Sequence, residues 1–127
     1  MSAPTLVSPE NGRVYTSWDT VVLEWGAVGQ LAPDEYYVPT VAYQRFGDTW
    51  YDETPWTKGT SWALSDHRYL LDLSDNGEFR WAVRVMRRTG INNEGKPEGT
   101  PRSPMSEVRT LTWRRSDDAS TPEIPDP

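Results

Sequence analysis

The stretch with the most chemistry in the fewest residues is Asp48-Thr49-Trp50-Tyr51-Asp52-Glu53-Thr54-Pro55-Trp56, with three aromatic rings and three carboxylates in nine residues. The faces of tryptophan and tyrosine can stack on sugar rings, while carboxylates accept hydrogen bonds from ring hydroxyls. Trp50, Tyr51, Asp52 and Trp56 are therefore the candidate ligand-binding set. The competing reading is structural: in a small domain with few large aliphatic side chains, the same rings cover a sheet edge or fill the gap between sheets. Of the seven tryptophans, Trp25, Trp81 and Trp113 fall where a core needs them. Trp18, Trp50, Trp56 and Trp62 are open to both readings.

Catalytic chemistry finds little to work with. His67 is the only imidazole, so any Ser-His-Asp relay would depend on it. Its setting, Asp66-His67-Arg68, reads as a surface or helix-capping histidine. Zinc needs several His or Cys ligands, and the chain has no cysteine, which also excludes disulfides. The glycines are scattered turn residues rather than a phosphate loop. A glycosidase needs two carboxylates flanking a cleft at a defined separation, whereas Asp48, Asp52 and Glu53 are adjacent acids in one loop and read as solvated. Asp72, Asp75, Asn76 and Glu78 offer the hard oxygens that calcium prefers, but without EF-hand spacing, and Ser74-Asp75-Asn76-Gly77 is an ordinary turn sequence. The expectation is a non-enzyme with no metal and no cofactor.

A second candidate region is the Gly/Pro/Asn-rich stretch 89–104, which reads as a long loop. Loops beyond about 12–15 residues are usually functional or mobile. Asn92, Asn93, Lys96 and Arg102 are its candidate interaction residues. Arg80, Arg84 and Arg88 recur on one side of the preceding strand. They could meet an anionic polymer, or pair with cross-strand acids, for which Glu107 and Glu24 are candidates.

Charge narrows the partners. The net charge is −6, and residues 116–127 hold four acids and no base, which leaves the body at −2. A nearly balanced body has no basic footprint for nucleic acid, and none for an anionic membrane surface. No apolar run is long enough for a membrane span, and the first residues do not read as a signal peptide.

The elements that must position these residues are short strands. Pro4–Val7 precedes the turn cluster Pro9-Glu10-Asn11-Gly12. Thr20–Trp25 alternates, with Val21, Leu23 and Trp25 on one face. Tyr36–Phe46 places Tyr37, Val41 and Tyr43 on one face, and Pro39 predicts a bulge or an exposed edge there. Trp50–Trp56 and Thr60–Leu64 are shorter. In Glu78–Arg88, Phe79, Trp81, Val83 and Val85 face opposite to Arg80, Ala82, Arg84 and Met86. Met105–Trp113 closes the set. Ser65–Asp75 is predicted to hold one helical turn capped by Ser65 or Asp66. This gives an all-β, two-sheet antiparallel sandwich of about seven strands over residues 1–115, followed by an acidic, Pro-rich linker or tail at 116–127.

Particular segments add a family resemblance. Val22-Leu23-Glu24-Trp25 resembles the second strand of fibronectin type III domains, Tyr37–Tyr43 their third, and Ser103-Pro104-Met105-Ser106-Glu107 the opening of their last. The likeness spans about residues 4–113. One departure is Phe79, which stands where the family places a corner tyrosine and has no hydroxyl to bond. Leu31–Tyr37, Phe79–Val85 and Pro104–Glu107 together resemble a divergent group of repeated surface modules of Chloroflexi-like bacteria. The resemblance implies a spacer or protein-interaction module of a larger cell-envelope protein, extracytoplasmic or at the cell surface. Its partners would be neighbouring domains of a parent chain, or a protein or polysaccharide. A carbohydrate- or wall-binding module is the alternative drawn from the tryptophans. A self-assembling structural subunit, pairing by strand addition, is the third.

Overall fold

A computed structural model describes residues 1–115; the 116–127 tail lies outside the described residues. The chain is all-β, with two sheets packed face to face, as the strand pattern predicts. Among the described residues there are nine strands: β1 (Leu6–Ser8), β2 (Arg13–Thr16), β3 (Val22–Trp25), β4 (Glu35–Arg45), β5 (Asp48–Tyr51), β6 (Ser61–Ala63), β7 (Glu78–Ile91), β8 (Pro97–Pro101) and β9 (Arg109–Arg114). One sheet has the order β1-β3-β6, the other β2-β9-β7-β4-β5, with β8 added beside β7. No helix among these residues is long and apolar enough to cross a membrane.

The backbone of the larger sheet is the β4–β7 pair, in unbroken register from Glu35↔Arg87 to Tyr43↔Phe79. Alternation along both strands sends Tyr37, Val41, Tyr43, Phe79, Trp81, Val83 and Val85 into the core. Leu6, Leu23 and Trp25 meet them from the smaller sheet, and Leu64 and Leu70, in two short helical turns, join the same core.

Several elements differ from the sequence reading. Pro39 causes no bulge. The amides of Tyr37 and Thr57 bond each other's carbonyls, so the side of β4 away from β7 is where the missing Pro39 N–H falls. There the Thr54 hydroxyl donates to the Pro39 carbonyl instead of extending a ladder. For the same reason the expected Trp50–Trp56 strand stops at Tyr51: beyond Asp52, whose amide still bonds Val41, β4 has no donor to offer at Pro39.

β2 was not expected, and it runs parallel to β9, so the sandwich is not wholly antiparallel. Only Tyr15 of β2 points inward, which leaves little alternation to detect. After β1 the chain crosses to the other sheet, where Gly12 N donates to the Thr110 carbonyl at 2.8 Å. The Arg109 guanidinium fixes the crossing by donating to the carbonyls of Leu6, Val7 and Pro9.

The last strand begins at Arg109 rather than Met105. Upstream of it, Ser103 and Ser106 hydroxyls accept the Val85 and Val83 amides, each at 2.9 Å, so side chains complete the edge of β7 where a ladder would. The helical turns, Leu64–Asp66 and Leu70–Leu73, have no side-chain cap. The Ser65 hydroxyl accepts the Val21 amide instead, at 3.0 Å, which ties the turn to β3 and removes Ser65 as the expected cap.

Candidate functional site

The segment that leaves β4 at Pro39, residues 52–57, forms one wall of a cleft of about 330 Å³. Glu53, Thr54, Pro55 and Trp56 supply that wall, Trp62 and His67 a second, and Gly95, Lys96 and Pro97 the third. The third wall belongs to a hairpin rather than a loop: most of 89–104 continues β7 to Ile91 and returns as β8. Asn92 builds its tip. Its side-chain oxygen accepts the amides of Glu94 and Lys96 at 2.9 and 3.0 Å, and Gly95 adopts φ 79° to close the turn. Lys96 then reaches across to Glu53 at 3.3 Å and back to Glu94 at 3.6 Å. Both carboxylates, Glu53 first, hold the Lys96 ammonium above its ordinary pKa.

Behind the second wall lies a polar network anchored on one buried carboxylate. The Asp52 side chain is 3% exposed. Its two oxygens meet His67 Nδ1 and the Tyr69 hydroxyl, each at 2.7 Å. An ionised carboxylate only accepts, so the tyrosine hydroxyl and the Nδ1 proton both donate to it. The His67 ring is stacked on Tyr69 and meets Trp62 edge-on. His67 is therefore a half-buried, oriented ring, not the surface or capping residue its neighbours suggest. Desolvation, and then the bond to Asp52, push the Tyr69 phenol well above its ordinary pKa.

The structure divides the first candidate set. Trp50 pairs with the inward-facing Tyr43 and Tyr51 with Ala42, so the two rings project to opposite faces of β5. Trp50 is 42% exposed and lies under the Arg45 guanidinium. Tyr51 is 66% exposed and borders a groove on the outer face of the larger sheet. Asp52 is the buried anchor, and Trp56 lines the cleft, tilted against Tyr36. The second set divides as well. Asn92 is engaged in its turn and Asn93 is exposed. Arg102 donates to the buried Glu35 at 2.9 Å. Lys96 lines the same cleft as Trp56.

Trp62, His67 and Pro97 complete the site and were not singled out for it. Of these only Trp62 gave a signal, as one of the unassigned tryptophans. Glu107 pairs with Arg109, and Glu24 sits in the smaller sheet, so neither answers the arginines of β7. Among the described residues Arg80 and Arg84 make no ion pair, while Arg88 lies over the Tyr36 ring. Three of the residues considered for calcium are otherwise engaged: Asp75 accepts the amides of Phe46 and Gly47, Asn76 that of Glu78, and Asp72 pairs with Arg115. Among the described residues no cluster of three or more His, Cys, Asp or Glu side chains gathers at a metal position. No family model, curated protein or solved structure matches this chain.

Proposed function

We propose that this chain is a non-catalytic binding module of the fibronectin type III kind in a larger bacterial cell-envelope protein, and that it takes a carbohydrate or cell-wall glycan in the cleft beneath the β7–β8 hairpin tip. One observation carries the reading. Trp56, from the aromatic-acidic segment, and Lys96, from the distant hairpin, line a single cleft. At about 330 Å³ it falls within the usual range for small-ligand pockets, about 300–1,000 Å³. Its lining combines aromatic residues with a few polar groups, the composition by which such sites fix orientation. The two-sheet architecture and the buried Trp25 support the family resemblance. The extracytoplasmic setting and the neighbouring domains of a parent chain are part of the proposal and rest on that resemblance.

The test is titration with soluble polysaccharides and peptidoglycan fragments, followed by tryptophan fluorescence. The expected result is a saturable shift that Trp56→Ala abolishes and Trp50→Ala preserves, because Trp50 does not line the cleft. A flat response across the panel overturns the glycan reading. The second reading is a spacer with a protein-facing surface. It is favoured by the outer-face groove, where Tyr51, Met105 and Val108 stand exposed beside Arg80.

A further inference from the structure

The cleft is unequal in charge and in hydrogen-bonding character. At its mouth the carboxylates of Glu53 and Glu94 face the single ammonium of Lys96, and the Asp52 carboxylate lies behind the His67 wall. The His67 ring is held to that carboxylate through Nδ1 at 2.7 Å. Apart from Lys96, the charged side chains at the mouth are carboxylates, which accept hydrogen bonds rather than donate them. The ring walls agree. Among aromatic side chains, the face of tryptophan attracts a cation most strongly. The Tyr36 ring is already covered by Lys58 at 4.2 Å and by Arg88 at 5.3 Å. Among the described residues no cation is placed over Trp56 or Trp62.

We propose that the cleft selects glycans carrying a free, protonated amine, of the glucosamine type, over their N-acetylated counterparts. This rests on the glycan reading above. The amine would sit between the Trp56 ring and the Glu53 carboxylate, where it competes with Lys96 for the same acceptor. Lys96 thus serves as an internal stand-in for the ligand cation. Its bridge to Glu53 joins side chains that are both about half or more exposed, and such pairs contribute little to stability. A ligand amine can displace it without disturbing the fold. The turn at Asn92 keeps the hairpin tip in place when the bridge opens.

The experiment compares a glucosamine tetramer with its fully N-acetylated form, at one pH and low salt, by tryptophan fluorescence on the intact protein. Wild type should bind the free-amine tetramer about tenfold more tightly. Glu53→Gln should erase that preference. Lys96→Met should bind the free-amine tetramer more tightly than wild type, since it removes the competitor, and a purely structural role for Lys96 would not produce that gain. Both substitutions are at exposed side chains, and circular dichroism checks the fold. Equal or tighter binding of the acetylated tetramer overturns the amine inference and leaves the glycan module standing. Failure of both tetramers, with a flat wider panel, removes the glycan reading and this inference together. Saturable binding of a lysine-rich peptide, with neither tetramer binding, reassigns the cleft to protein ligands and overturns the proposal.

Discussion

Phe46 is held in a left-handed conformation, φ 55°, with Gly47 beside it at φ 81°. Together they form the two-residue turn joining β4 to β5. Two successive left-handed residues suit Asn-Gly, and a bulky side chain in the first place is strained. The ring is 75% exposed and lies beneath the Arg45 guanidinium. The Asp75 carboxylate fixes the turn by accepting the Phe46 and Gly47 amides at 3.1 and 3.0 Å. Phe46→Asn should therefore raise stability by about 0.5–1 kcal/mol, the relief of left-handed strain less the lost cation–π contact. Chemical denaturation checks this: a higher midpoint with an unchanged slope is expected. A lower midpoint would show that the ring packs better than its exposure indicates.

At the level of the element, the β7–β8 hairpin stands apart from the sandwich but forms one wall of the cleft. Its register shifts between Arg88 and Gly90, and Gly99 packs tightly against that irregularity. A Cβ on Gly99 would fall 1.7 Å from the Arg87 carbonyl oxygen, a backbone atom that cannot move without breaking the pairing. Gly99→Ala should displace β8 and the Lys96 tip while leaving the core strands intact. In hydrogen exchange the amides of residues 88–101 should lose protection, with those of β4 and the 78–85 part of β7 unchanged. Glycan affinity should fall in parallel. Full retention of hairpin protection would contradict the close approach. Asn92 illustrates the same scale from the other side. As a candidate interaction residue it is at most an indirect one, because its side chain builds the tip that carries Lys96.

For the molecule as a whole, the pH profile of stability reports two polar anchors. Glu35 is buried, and the Ala32 amide, followed by Arg102, holds its carboxyl below the ordinary value of 4.5. A lowered folded pKa gives stability that is present above the unfolded value and lost as pH falls through the folded one. Tyr69 behaves oppositely. Its raised pKa means a contribution complete below the ordinary value of 10.0 and lost as pH rises through the folded value. Denaturation measured across pH should show a shallower acid limb in Glu35→Gln and a shallower alkaline limb in Tyr69→Phe, each leaving the other limb unaltered. Identical limbs in variant and wild type would count against the corresponding anchor. The core differs: among the described residues, the indole N–H groups of Trp25, Trp81 and Trp113 are buried without a partner. Their ring area must outweigh that cost, since an unmet buried donor typically costs about 1–3 kcal/mol.

The local period of two, by itself, determined the fold class and the inward faces of β3, β4 and β7. Side chains alternate along an extended chain whatever they later pack against, so Phe79, Trp81, Val83 and Val85 could be placed together from their spacing alone. Turn residues likewise marked some boundaries, as Pro9-Glu10-Asn11-Gly12 does after β1. Long-range pairing decided the rest. β2 carries one inward residue, and only the neighbouring β9 makes it a strand. The same alternation that revealed the core also separates Trp50 from Tyr51, once the register with Tyr43 and Ala42 is known. The cleft was not legible in the same way. Glu53–Trp56, Trp62, His67 and Gly95–Pro97 meet only because Pro39 turns one segment off its ladder, Asp52 fixes His67, and the hairpin returns over them. Each of those contacts joins residues distant in sequence, and local preferences carry no information about which distant partner a side chain will meet.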